Sequence, residues 1–146
     1  MQIAHLNMVA IYMKTISKLK KELDKWFSLY IRLRDSINGL CQCITCSKVS
    51  YYKSGMQCGH FQSRRFMATR YDEQNCSTQC VACNMFRGGE QYRFALAINN
   101  KYGEGTAEEL QYKARQIQKF SRIDYEEKIS YYKEAVKNLK KEKGIE

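Results

Sequence analysis

The chain has 146 residues, which suits one compact domain with helical extensions. Its 25 Lys and Arg outnumber its 15 Asp and Glu, so the formal charge of +10 favours a polyanionic partner such as nucleic acid over a neutral metabolite, although a solvated basic surface would have the same charge. Because no apolar run reaches the roughly 20 residues that span a bilayer and no secretion signal is recognisable, we expect a cytoplasmic protein that does not enter the membrane.

A long amphipathic helix is predicted for the N-terminal region, residues 1–40. Apolar side chains recur every three or four residues, with basic side chains between them, at Ile16, Leu19, Leu23, Trp26, Tyr30 and Leu33. The helix is expected to end at residues 38–40, where Asn and Gly favour the left-handed backbone that terminates helices. Its apolar stripe could form the seam of a homodimer or pack on its own domain. No role is predicted for the first twelve residues, which include His5.

The next region, residues 41–104, contains all seven cysteines, and four of them form two Cys-x-x-Cys pairs. Each such turn presents two sulfurs to one side of a metal ion, so two turns can complete the tetrahedral site of a structural zinc ion. The predicted ligands are Cys43, Cys46, Cys80 and Cys83. A redox-active pair or incidental buried cysteines are the alternatives, and Cys41 could replace Cys43. Cys58 and Cys76 are expected to pack as small apolar side chains.

Short strands and further helices are predicted around this zinc site. The run VSYY at residues 49–52 could pair as a hairpin, and a helix over residues 91–103 should end at Gly103. Thr106 and Glu109 have the spacing of a capping box that would start another helix. The last helix is indicated by apolar residues three or four apart, at Ile129, Tyr132, Val136 and Leu139. We therefore predict an α+β fold that is mostly helical, with residues 105–146 as a C-terminal helical extension.

The loop between the two cysteine pairs contains His60 and Asn75, and Asn84 directly follows the last cysteine. This order of residues resembles that of the His-Me finger (HNH) nucleases. Several strings further resemble one branch of that superfamily, the NinG (Rap) family of lambdoid phages. The similarity covers about residues 25–105 and rests on YIRLRD at 30–35, CITC at 43–46, GHF at 59–61, QCVACN at 79–84 and GGEQYR at 88–93.

The resemblance implies a small ββα-metal core in which His60 is the general base, Asn75 braces the loop and Asn84 holds a catalytic Mg²⁺ or Mn²⁺. Histidine suits this role because its unperturbed pKa lies near neutrality. The alternatives for the three residues are structural: a hydrogen-bonded histidine, a turn asparagine and a helix N-cap. Many members of the superfamily have Asp, a metal ligand, where this sequence has Gly59. The metal could rest on Asn84, water and the DNA phosphate, or a nearby acid could replace the missing ligand, namely Asp72, Glu73 or Glu90.

Arginine side chains flank the proposed site, and guanidinium groups bind phosphates through two parallel hydrogen bonds. The candidates for holding the DNA backbone are Arg64, Arg65, Arg70 and Arg87. Resemblance to NinG implies a structure-selective, metal-dependent endonuclease that hydrolyses phosphodiester bonds in branched recombination intermediates such as Holliday junctions and D-loops, in the host cytoplasm. The missing Asp leaves a second possibility, a non-catalytic zinc-knuckle DNA-binding protein of recombination. A thiol redox protein, which would bind no zinc, is a third.

Overall fold

The computed structural model describes residues 13–146, so the predicted N-terminal extension with His5 lies outside the described residues. Helix α1 spans Ile16–Arg34 and begins after Thr15, whose hydroxyl accepts a hydrogen bond from the backbone N–H of Lys18 at 3.2 Å. The predicted start of the helix is confirmed. The predicted stripe is confirmed in part, because Leu19, Leu23 and Leu33 are buried, whereas Ile16 is exposed. The prediction missed Phe27 and Ile31, which complete a buried ridge that advances in steps of four from Leu19 and Leu23.

The Asn38-Gly39 pair forms a hairpin turn rather than the predicted end of α1. The helix already ends at Arg34, and strand β1 (Ser36–Ile37) pairs antiparallel with strand β2 (Leu40–Gln42). Asn38 and Gly39 have φ values of 52° and 79°. A two-residue type I′ turn requires positive φ at both positions, and Asn-Gly is its preferred sequence. The same residues that can terminate a helix therefore reverse a strand here.

Two small antiparallel sheets and a π-helical segment follow. Strand β3 (Val49–Tyr51) joins β2, so the pairing predicted for this run is confirmed. Strand β4 (Met56–His60) pairs with β5 (Cys76–Cys80) along five residues. The loop between β4 and β5 contains the short helix α2 (Met67–Arg70), and a π-helical segment (Ala82–Phe86) follows β5. The cysteine-rich region is therefore built from a three-stranded sheet, a two-stranded sheet and two short helical segments.

Three helices complete the chain. Helix α3 spans Gln91–Tyr102 and ends at Gly103, as predicted. Helix α4 spans Thr106–Ala114, and helix α5 spans Arg122–Lys143. The predicted helices after residue 90 are confirmed.

The predicted capping box at Thr106 is wrong. The residue that precedes α4 is Gly105, and the Thr106 hydroxyl donates a hydrogen bond to the carbonyl of Gly103 at 2.8 Å instead of capping the helix. A capping box does occur at the start of α5, where Ser121 and Asp124 each accept a hydrogen bond from the other residue's backbone N–H. Thr106 and Glu109 thus have the spacing of a capping box but do not form one.

The two longest helices, α1 and α5, pack against each other. The buried ridge of α1 contacts Tyr125, Ile129 and Tyr132 of α5, together with Tyr71 and Cys76 near the second hairpin. The apolar stripe of α1 therefore packs within its own chain, and the homodimer stays a prediction. The architecture is α+β and mostly helical, as predicted. None of the helices in residues 13–146 is both long and apolar enough to cross a membrane.

Candidate metal centre and active-site cleft

Four cysteine sulfurs converge between the two hairpins. The first pair follows β2, and the second pair begins at the end of β5 and continues into the π-helical segment. The Sγ atoms of Cys43, Cys46, Cys80 and Cys83 all lie within 4.8 Å of one another. Cys46 and Cys80 are 3.6 Å apart, close to the spacing of about 3.8 Å that a tetrahedral zinc ion with 2.3 Å bonds imposes. The cluster can therefore bind a metal such as zinc.

The surroundings of Cys43 favour the thiolate that a zinc ion binds. Burial raises the pKa of this thiol, but the Thr45 hydroxyl, 3.4 Å from the sulfur, and nearby backbone N–H groups outweigh burial and lower the pKa to about 6. Cys41, the alternative ligand, has a different environment. Its thiol donates to the carbonyl of Arg32 at 3.1 Å, and burial raises its pKa. Cys43 is therefore the member of the cluster, and Cys41 is not.

His60 is the last residue of β4 and lies opposite Cys76 of β5. Its Nε2 is 2.9 Å from the backbone carbonyl of Arg70. Because a carbonyl oxygen only accepts hydrogen bonds, Nε2 carries the proton and Nδ1 has the free lone pair. Burial lowers the pKa of His60 to about 4, with further lowering from the positive charges of Arg64 and Arg70. The imidazole is therefore neutral at physiological pH, with one basic nitrogen.

Asn75 ties the loop between β4 and β5 together. Its side chain is buried, and its Oδ1 accepts a hydrogen bond from the backbone N–H of Gln62 at 2.7 Å. Its Nδ2 donates to the carbonyls of Gln62 at 3.1 Å and Thr69 at 3.0 Å. These bonds join the start of the loop and helix α2 to the residue that precedes β5. The arrangement is that of a loop brace rather than of an exposed turn asparagine.

Asn84 and His60 line the same cleft. Asn84 lies in the π-helical segment, and its Nδ2 donates to the Gln57 side-chain carbonyl at 2.8 Å, which leaves its own Oδ1 for a ligand. The cleft has a volume of about 350 Å³, and Asp24 and Arg64 also line it. The structure thus brings His60 and Asn84 together, although 23 residues separate them in the sequence.

The space that an Asp side chain would need at Gly59 is occupied by Gln79. A Cβ atom on Gly59 would lie against Gln79 Oε1 and only 2.7 Å from its Cδ. Gln79 is buried and fixed, because its Nε2 donates to the Thr45 hydroxyl at 3.1 Å and to the carbonyl of Gly89 at 2.9 Å. Glycine at position 59 is therefore a steric requirement of this fold.

A carboxylate that sequence reasoning missed lies in the cleft. Asp24, on α1, accepts hydrogen bonds from Arg70 Nε at 2.9 Å and from the Tyr71 hydroxyl at 2.8 Å, and it lies 3.3 Å from Arg64 Nη2. Burial raises the pKa of Asp24, but these hydrogen bonds and charges outweigh burial, so the pKa lies below its usual value. Within residues 13–146, the acids suggested by sequence do not line this cleft, namely Asp72, Glu73 and Glu90. Asp72 instead pairs with Lys113 at 2.6 Å.

The four candidate DNA-binding arginines separate into two groups. Arg70 is buried, pairs with Asp24 and donates to the carbonyl of Arg64 at 2.7 Å, so its guanidinium is not available to a DNA phosphate. Its assignment as a DNA contact is corrected to a structural one. Arg64, Arg65 and Arg87 are exposed, and Arg64 lines the cleft. These three remain the candidates for binding phosphate.

Exposed apolar side chains lie beside the cleft, which sequence reasoning also missed. Met85 is 62% exposed and Phe86 is 80% exposed, and both belong to the π-helical segment that holds Asn84. Met85 lines the cleft directly. An apolar residue after a Cys-x-x-Cys-Asn run offers no sequence signal that distinguishes a surface position from a core position.

Comparison with known proteins gives one family match. A family model described as Bacteriophage Lambda NinG protein matches residues 4–142, which is nearly the whole chain. Neither the curated proteins nor the solved structures contain a match to this chain.

Proposed function

Because the chain belongs to the bacteriophage lambda NinG family, a phage family related to recombination, we propose that it is a metal-dependent DNA endonuclease of the His-Me finger type. The observation that supports this proposal most directly is the cleft shared by His60 and Asn84. One side chain offers a basic nitrogen and the other an amide oxygen. In this proposal, strands β4 and β5 and the π-helical segment correspond to the two strands and the helical element of a ββα-metal core.

His60 acts as the general base in this proposal. The Arg70 carbonyl fixes the tautomer, so Nδ1 can accept a proton from the water that attacks the phosphorus atom. The low pKa keeps the imidazole unprotonated when no DNA is bound. A DNA phosphate in the cleft brings a negative charge close to the ring, which raises this pKa towards neutrality and strengthens the base. Asn75 holds the loop that contains the Arg70 carbonyl, so it is a positioning residue.

The oxygen donors of the cleft suit Mg²⁺ or Mn²⁺. Asn84 Oδ1 is the ligand that the chain offers, because the Asp24 carboxylate is already paired with arginine. A bound ion would polarise the scissile phosphate and stabilise the departing 3′ oxygen. DNA phosphate and water supply the remaining ligands, which accounts for a site with no Asp at position 59.

The exposed arginines provide phosphate contacts around the cleft. Arg64 forms a long ion pair with Asp24, and its side chain is 60% exposed, so a DNA phosphate can compete for it. Arg65, the next residue, and Arg87, which follows the second cysteine pair, are also exposed. Replacing an arginine that neutralises one phosphate should reduce the slope of log affinity against log salt by about 0.9.

We base the proposed selectivity for branched DNA on the exposed aromatic ring of Phe86, which follows Met85 of the cleft in the chain. Phe86 is adjacent to Arg87, and base stacking on an aromatic side chain stabilises binding by about 1–3 kcal/mol per base. Holliday junctions and D-loops offer unpaired or terminal base faces, whereas linear duplex DNA offers none along its length. Phe86→Ala should therefore reduce the preference for branched over linear DNA more than it reduces cleavage of the linear duplex.

A nicking assay tests the enzyme proposal. Purified protein is incubated with branched or linear DNA in Mg²⁺, Mn²⁺ or EDTA, and His60→Ala is compared with His5→Ala, which replaces the other histidine of the chain. We expect metal-dependent nicking that His60→Ala reduces about 10²- to 10⁴-fold with DNA affinity retained, and that His5→Ala leaves unchanged.

Two outcomes would favour the other functions. DNA binding without nicking in any metal contradicts the enzyme and supports a non-catalytic zinc-knuckle DNA-binding protein. Absence of bound zinc, together with oxidation of Cys43 and Cys46 to a disulfide, would support a thiol redox protein.

A further inference from the structure

A second group of metal-binding side chains lies on the β4–β5 hairpin, separate from the four-cysteine cluster. One ligand atom from each of Cys58, His60 and Cys76 lies within 4.8 Å of the other two. The strand register explains the convergence: His60 is directly opposite Cys76, and Cys58 is two residues before His60 on the same face of β4. None of these residues belongs to the first cluster.

We propose that Cys58, His60 and Cys76 form a second site for a thiophilic divalent cation, with zinc as the ion that fits best. Two sulfurs and one imidazole match the donor preference of zinc and differ from the oxygen donors that Mg²⁺ and Mn²⁺ require. Three protein ligands leave one coordination position for water. With only three protein ligands, the site binds zinc more weakly than the four-cysteine cluster does.

The site is accessible from the cleft. Cys58 and His60 both line the cleft of about 350 Å³, while Cys76 is buried behind them. An ion can therefore approach Cys58 and His60 from solvent, and Cys76 completes the site from the buried side. The same cleft is the one proposed above to receive DNA.

Zinc at this second site would remove the general base, an inference that rests on the proposed function. A neutral imidazole has one free lone pair, so a metal ion on either ring nitrogen uses the lone pair that would accept the proton of water. If zinc binds Nδ1, the basic nitrogen is occupied. If zinc binds Nε2, the hydrogen bond to Arg70 is broken and Nδ1 takes the proton. Excess zinc therefore inhibits cleavage, whichever nitrogen it uses.

Zinc stoichiometry tests the site without any measurement of activity. The full chain is loaded with one equivalent of zinc, dialysed against increasing free Zn²⁺, and its metal content is measured by atomic emission. Cys58→Ser is the main variant because Cys58 is half-buried, and Cys76→Ala is the second. Cys41→Ser is the matched control, since Cys41 belongs to neither cluster.

We expect two zinc ions per chain in the wild type and in Cys41→Ser, and one in Cys58→Ser and Cys76→Ala. One zinc ion in the wild type at all concentrations overturns the proposal, and so does a second ion that persists in both variants of the site.

The inhibitory part has its own readout, the nicking rate at the free Zn²⁺ concentration that fills the second site of the wild type, divided by the rate of the same protein loaded with one equivalent of zinc. We expect this ratio to be about 10⁻² to 10⁻⁴ in the wild type and near one in Cys58→Ser. Unchanged nicking by wild-type protein with two bound ions overturns the inhibition. A wild type that binds two ions and never nicks DNA contradicts the proposed nuclease while supporting the second zinc site.

Discussion

The close contact between Gly59 and Gln79 gives a sharp test of why this chain has glycine where many His-Me finger nucleases have Asp. A Cβ atom on Gly59 would lie 2.7 and 2.8 Å from Gln79 Cδ and Cγ. The backbone of Gly59 is not left-handed, so Gly59→Ala introduces a steric clash alone. To remove the clash, the Gln79 side chain must leave its two hydrogen bonds to Thr45 and Gly89.

The expected loss of stability has two contributions, the steric clash and the loss of the two hydrogen bonds. Overpacking a buried site costs about 1–3 kcal/mol, and two buried hydrogen bonds contribute about 1 kcal/mol each, so Gly59→Ala should lower the free energy of unfolding by roughly 3–5 kcal/mol. In a Gln79→Ala background the clash and both hydrogen bonds are absent. There the same change should cost less than about 0.5 kcal/mol, because replacing a strand glycine by alanine reduces the entropy of the unfolded chain.

Denaturant unfolding of the zinc-loaded wild type, both single variants and the double variant forms a double-mutant cycle. Gly59→Asp should be at least as destabilising as Gly59→Ala, since its side chain is larger. The steric explanation is refuted if Gly59→Ala lies within about 0.5 kcal/mol of the wild type, or if it costs the same with and without Gln79.

Three further predictions concern the base, the loop brace and the cysteine cluster. The pKa of His60 is about 4 in the folded state and 6.5 in the unfolded state, so the wild type should lose up to about 3 kcal/mol of stability as pH falls from 6.5 to 4. His60→Gln should lose less stability over that range. Equal acid sensitivity of the two proteins would contradict the low pKa. Asn75→Ala removes three buried hydrogen bonds and should cost about 3 kcal/mol in denaturant unfolding, whereas a cost near zero would show that the loop needs no brace. Cys80→Ser should purify without stoichiometric zinc and melt at a lower temperature than the wild type, while Cys41→Ser should retain zinc. Metal analysis and thermal unfolding measure the zinc content and the melting temperature of each variant. Full zinc occupancy in Cys80→Ser would remove Cys80 from the site.

Features that depend on local spacing could be predicted from the sequence. Two Cys-x-x-Cys turns are sufficient to indicate a four-sulfur cluster, because each turn fixes two sulfurs within a few residues. Helix α3 and its end at Gly103 follow from apolar periodicity and from glycine's access to positive φ. The Asn38-Gly39 pair shows the limit of such reasoning, since the same dipeptide suits a helix end and a hairpin turn. Only pairing with a later strand decides between them.

Features that depend on distant segments could not be predicted. Asp24 lies on the first helix, and nothing in its spacing indicates that its carboxylate meets the Arg70 guanidinium 46 residues later. The pairing converts Arg70 from a candidate DNA contact into part of the scaffold. The filling of the space beside Gly59 by Gln79 is likewise a property of the folded hairpin. The cleft is lined by side chains of α1, of β4 with the loop that follows it, and of the π-helical segment. The sequence motifs indicate a shared site for the last two segments and give no sign of the first.

The pairing of α1 with α5 has a consequence for how the protein folds during synthesis. The ridge of α1 is translated early, but the helix that covers it is translated roughly 90 residues later. At about 5–20 residues per second, the side of this ridge that α5 covers stays exposed on the ribosome for roughly 4–18 s. The cysteine cluster, in contrast, can close as soon as Cys83 has emerged. A nascent chain should therefore have an ordered metal-bound centre while its first helix still exposes a surface that chaperones recognise and that promotes aggregation.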